Sequence, residues 1–166
     1  MNKDQLLKQY GSLLLKIAFV AVLAVFLVFV YSRASAKDVD LEKVDQVLIE
    51  KTDIATKMNR ASDRDLMQFI GIDASKYEQV LYYRNNTALA VDEFLVVKAK
   101  SSDELDGVEE AVNARIKSQI KVYDSYGPEQ VKLLKSAVQT KKGNYYIYSV
   151  AEKAGKYEEV LVNAIQ

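Results

Sequence analysis

No cysteine and no histidine occur among the 166 residues. Without cysteine the chain has no structural disulfide, no thiolate nucleophile, no sulfur-bound metal and no lipid-acceptor residue of the lipoprotein kind. Without histidine it lacks the commonest metal ligand and the default general base near neutral pH. A concentrated basic face is missing as well. Of 23 basic and 23 acidic groups, 19 and 22 fall in residues 37–166. That region is mildly acidic and argues against nucleic acid as a partner. Gly127 and Gly143 stand alone and match no phosphate-loop spacing, so neither cofactor nor metal is implied. No internal repeat or low-complexity tract appears.

What the chain does have is one long apolar run, Leu13 to Tyr31, interrupted only by Lys16. A bilayer core of roughly 30 Å needs about 20 such residues in a helix, so the run is expected to be a transmembrane helix over 13–31. Lys16 would snorkel to the headgroups, and Tyr31 would sit at the interface. The preferred organisation is a short cytoplasmic leader over 1–12 and a retained signal anchor. A juxtamembrane linker and helix over 32–61 would follow, then an extracytoplasmic domain over 62–166. The competing reading is a signal peptide cleaved after Ala34-Ser35-Ala36, opposed by Arg33 and by the bulky end of the run.

Past the run, the spacing of Val39, Leu41, Val44, Val47 and Leu48 predicts a helix over 38–51. Ser62 is a candidate N-cap for a short helix closed at Gly71. Strand character follows at Tyr77–Arg84 and Glu93–Lys100, the second with apolar residues on both faces. Ser101 and Glu104 read as a capping box for a long helix with Val108, Val112, Ile116 and Ile120 in its stripe. Pro128 suits the first position of a shorter helix, with Val131, Leu134 and Val138 as its buried side. Lys141 to Asn144 reads as a turn, Tyr145–Val150 as a third strand and Tyr157–Ile165 as a closing helix. The expected class is α+β, an N-terminal transmembrane helix followed by a small domain with a three-stranded, mostly antiparallel sheet flanked by helices. Phe94, Val96, Leu105, Val112, Ile116, Val131 and Leu134 form its expected core.

Tyrosine is abundant, with nine from Tyr77 onward. Tyr146 and Tyr148 share one strand face and are candidates to stack on sugar rings or to anchor an interface, although half-burial in a thin sheet is the simpler expectation. The acid pairs Asp92-Glu93, Asp103-Glu104 and Glu109-Glu110 do not suggest a converging catalytic pair, since the second caps a helix and the third lies on a solvated side. Ser118 and Lys121 have dyad spacing by chance, mid-helix. The corner after the long helix is more sharply specified. Gln119, Tyr126, Gly127, Pro128 and Gln130 are binding candidates there, against a structural reading in which the tyrosines pack on the sheet.

Four features together resemble domain-of-unknown-function family 4358, small envelope-associated proteins of Gram-positive bacteria. They are Asp92-Glu93-Phe94, the helix carrying Arg115 and Gln119, the Tyr126-Gly127-Pro128-x-Gln130 corner, and Gly143-Asn144-Tyr145. The resemblance runs from about Asp63 to Ile165 and implies an envelope location but no activity. Many relatives resemble lipoproteins; this chain departs by having no cysteine. The expected function is therefore a membrane-anchored, single-pass extracytoplasmic interaction module. It would not be an enzyme, and it would bind an envelope protein or cell-wall component through tyrosines. A glycan or small-molecule binding domain is the alternative, and a hydrolase comes third.

Overall fold

The structure, a computed structural model, describes the backbone of residues 3–34 and 36–166 and the side chains of residues 11, 13–28 and 36–166. The chain divides into two compact units, Met1–Ser35 and Ala36–Gln166. The first is a single helix, α1 (Lys3–Ala34). Among the described residues no helix is long and apolar enough to cross a membrane, which corrects the transmembrane helix expected over 13–31. The interfacial role expected of Tyr31, and the cleavage motif at Ala34-Ser35, fall outside the residues whose side chains are described.

The second unit runs α2 (Leu41–Lys51), α3 (Ile54–Lys57), β1 (Asn59–Arg60), α4 (Asp63–Phe69), β2 (Gln79–Arg84), β3 (Glu93–Lys98), α5 (Asp106–Tyr123), α6 (Pro128–Lys135), β4 (Val138–Lys142), β5 (Tyr145–Val150) and α7 (Ala154–Ala164). The sheet has five strands, not three, in the order β1-β2-β3-β5-β4, with every neighbouring pair antiparallel. Of the two unexpected strands, β1 has two residues. The other, β4, is a polar edge strand whose residues alternate between half-buried and exposed. Val138 opens β4 rather than extending α6, and Lys141 and Lys142 are its last residues. The turn itself is Gly143-Asn144, with Gly143 at φ +56°, where a Cβ would lie 3.0 Å from the Ala36 amide nitrogen.

Every residue of β3 is buried, which explains its unbroken apolar run. Leu95 and Val97 face one core together with Tyr82, Tyr146 and Tyr148, covered by Leu66 of α4, Val112 and Ile116 of α5 and Leu134 of α6. Phe94 and Val96 face a second core with Leu81, Tyr83, Tyr145 and Ile147, covered by Leu41, Val44 and Leu48 of α2 and Tyr157, Val160 and Leu161 of α7. The domain is thus a helix–sheet–helix sandwich. Of the expected core residues, Val131 is only partly buried.

Local signals place the helix ends. The Asp40 side chain caps α2 by accepting from the Glu42 amide at 3.1 Å. The reciprocal capping box falls at Ser62 and Asp65. At Ser101 it does not form: a short 3-10 turn, Ser102–Leu105, precedes α5 with no side-chain cap from Ser101. Glu104 instead accepts from the Lys100 amide at 3.2 Å. Gly71 ends α4 at φ +83°, its amide donating to Leu66 and Met67 carbonyls.

Phe94 and Leu95 are neighbours in sequence that plug opposite cores, each with no exposed surface. Phe94→Ala should cost about 3–5 kcal/mol and Leu95→Ala about 2–5 kcal/mol in urea unfolding. A negligible loss at either position would mean that the corresponding helix layer is not docked.

Candidate functional site

The corner at the end of α5 is organised from within. Gly127 donates its amide to the Tyr123 carbonyl at 2.8 Å, and Pro128 takes the first position of α6. A Cβ on Gly127 would lie 2.7 Å from Tyr123 Cδ1 and 2.9 Å from Gln130 Oε1, so glycine is required by crowding, not by its φ of −125°. Tyr126 is 59% exposed and leans on Tyr123 with ring centroids 5.5 Å apart. Its hydroxyl makes no hydrogen bond among the described residues, contrary to the tether to backbone that its position suggests. The tether belongs to Tyr123, whose hydroxyl donates to the Ala88 carbonyl at 3.4 Å. Gln119 is buried, and its Oε1 has no hydrogen-bond partner among the described residues.

Tyr146 and Tyr148 are not surface rings. Both are buried in the α5 and α6 core because β5 lies inside the sheet, flanked by β3 and β4. Tyr146 donates to Gln139 Oε1 at 2.5 Å, and Tyr148 donates to Glu93 Oε2 at 3.2 Å. Of the three candidate tyrosines only Tyr126 presents its ring to solvent, so these three form no row of stacking rings.

Glu93 is the centre of a buried polar cluster instead. Its Oε1 accepts from Arg115 Nη2 at 2.7 Å, Arg115 Nε at 3.2 Å and the Tyr82 hydroxyl at 3.1 Å. A second cluster mirrors it on the opposite face. Buried Asp45 accepts from the Tyr83 hydroxyl at 2.7 Å and from Arg60 Nη1 at 2.8 Å. Burial, reinforced by the adjacent carboxylates, pushes the phenols of Tyr82, Tyr83 and Tyr148 well above their usual range. Asp92, next to Glu93, points away toward a small pocket of about 120 Å³ that it shares with Asp53, Lys57 and Tyr157. Burial raises its pKa as well. Asp53 in that pocket is bound by Lys153 and Tyr157, each at 2.8 Å. The acids of the Asp92-Glu93 pair therefore do not converge on one cleft. Among the described residues no group of acidic side chains is disposed to hold a metal ion.

A larger open concavity of the second unit lies between α2 and α7, with a volume of about 400 Å³. The two helices run in opposite directions. The Lys37 amide donates to the Ile165 carbonyl at 2.8 Å at one end, and Lys153 meets Asp53 at the other. Lys43, Val47 and Lys51 form one row on α2 at four-residue spacing, and Lys156, Val160 and Ala164 form the facing row on α7. Val44 and Val160 make a buried apolar floor, while Lys43 and Lys51 are exposed and have no ion-pair partner among the described residues. Lys156 is paired with Glu159 at 3.2 Å. Val47 of α2 and Val39 just before it are only partly buried against the second core, and both line the groove.

In comparison with known families, Domain of unknown function (DUF4358) matches the chain over residues 50–151. No curated protein and no solved structure matches it.

Two outcomes follow from this geometry. Gly127→Ala should lower stability by about 1–3 kcal/mol through overpacking against Tyr123, while Tyr126→Phe should leave the melting temperature nearly unchanged. A large loss at Tyr126 would reveal a buried partner for its hydroxyl. The pH dependence is set by the raised phenols. The folded state holds these protons above the ordinary tyrosine value of about 10, so their contribution is complete below that pH and is lost as pH rises beyond it. The urea midpoint should fall above about pH 10, and Tyr82→Phe should flatten that fall; a midpoint that is flat or rises there would contradict it.

Proposed function

The chain belongs to the DUF4358 family, a domain of unknown function, and from that premise we propose a non-enzymatic binding module that works outside the cytoplasm at the cell envelope. One observation carries the reading: an open groove between α2 and α7 with an apolar floor and, on α2, two exposed lysines that have no ion-pair partner among the described residues. The groups that would serve catalysis are engaged elsewhere. Glu93 is bound by Arg115 and two phenols, and Asp53 by Lys153 and Tyr157. The glycan reading loses its support because Tyr146 and Tyr148 are buried. The envelope location rests on the resemblance to envelope-associated relatives.

A benzophenone photocrosslinker placed at Val47 in cells should yield a discrete protein adduct, and one at exposed Lys132 on α6 should not. No adduct at Val47, or equal labelling at both, would overturn the groove as the binding surface. A tag after Gln166 should be removed by protease added to intact cells; a protected tag would place the domain inside.

A further inference from the structure

We infer that the groove between α2 and α7 receives an acidic amphipathic helix of a protein partner, an inference that rests on reading this groove as the binding surface. Its charge layout selects the class of ligand. Three of its four corners carry lysine: Lys43 and Lys51 at the two ends of the α2 row, and Lys156 on α7 beside the Lys51 end. Glu159 neutralises part of Lys156 and leaves the α2 pair as the free cations. Between the corners lie Val47 and Val160, so the centre is apolar and the ends are cationic.

Lys43 and Lys51 are eight residues apart, about 12 Å along the helix axis. A single-chain carboxylate lying on the valines would engage one end and leave the other cation unmatched. A helix satisfies both ends at once. Acids at its positions i and i+7 are about 10.5 Å apart, and leucines at i+3 and i+4 lie between them on the same face. Such a helix would lie across Val47 and Val160 as a third member of the layer, the helix-in-groove mode of recognition. Charge complementarity sets its composition: glutamate or aspartate flanking two aliphatic residues.

The probe is a fluorescein-labelled alanine-based peptide with the centre Glu-Ala-Ala-Leu-Leu-Ala-Ala-Glu, titrated with the full chain by anisotropy. Its partner is the same peptide with lysine replacing glutamate. The acidic peptide should bind, and the lysine peptide should bind roughly tenfold or more weakly. The double variant Lys43→Glu/Lys51→Glu should reverse that preference. Both positions are exposed and unpaired, so its melting temperature should match that of the parent chain. Equal binding of the two peptides, or failure of the variant to reverse the order, would overturn the inference. So would binding of dodecanoate with no binding of either peptide, which would assign the groove to a single-chain amphiphile. If neither peptide binds while the Val47 adduct still forms, the groove survives as a binding surface and the acidic helix does not. If the adduct is absent too, both fall.

Discussion

Complete burial of β3 is the constraint from which the architecture follows. A strand whose residues plug cores on both faces cannot lie in a sheet with one wet side. The chain must supply two helical layers, and it does so from separate parts of the sequence. The middle of the chain, α4 to α6, covers one face. The start and the end, α2 and α7, must meet to cover the other. Two helices of eleven residues each do not close a seam as completely as the longer α5 does, and the groove is that seam.

The polar interior follows the same two-sided logic. Tyr82 and Tyr83 are adjacent and point to opposite faces, as strand geometry demands. Each hydroxyl meets a buried carboxylate that an arginine also binds, Glu93 with Arg115 and Asp45 with Arg60. A buried carboxylate without such partners would be strongly destabilising. The clusters tie the sheet to α5 on one side and to α2 on the other, so each helix layer has a directional link as well as apolar contact.

Much of this is legible in the sequence where one physical signal dominates. β3 announces its double burial by its unbroken apolar run, and the position of Gly71 anticipates its left-handed cap. β4 is illegible for the opposite reason. An edge strand with one half-buried side has little apolar content, and Lys141-Lys142 before glycine reads as a turn when pairing with β5 is unseen. Ser101 and Glu104 have the spacing of a capping box, but the chain tightens into a 3-10 turn there and the serine is not aimed at the helix. Tyr146 and Tyr148 misled because alternation tells which residues share a face and not whether that face is wet; the helices that dry it lie 30 or more positions away for α5's Val112 and Ile116. The groove escaped because it lies between two helices at opposite ends of the domain.

That long-range closure has a consequence for synthesis. The Tyr145 hydroxyl holds the backbone at Lys37 and Val39 across more than a hundred positions, and the Lys37 amide reaches the Ile165 carbonyl. On the ribosome, α2 emerges early and can meet β1, β2 and β3, but the cover it shares with β5 and α7 forms only after those elements have left the exit tunnel. Val47, on the side that faces α7, waits for the last helix of the domain. The groove is consequently a feature of finished molecules alone: a chain interrupted before α7 can assemble the α4–α6 side but not the surface on which a partner would rest.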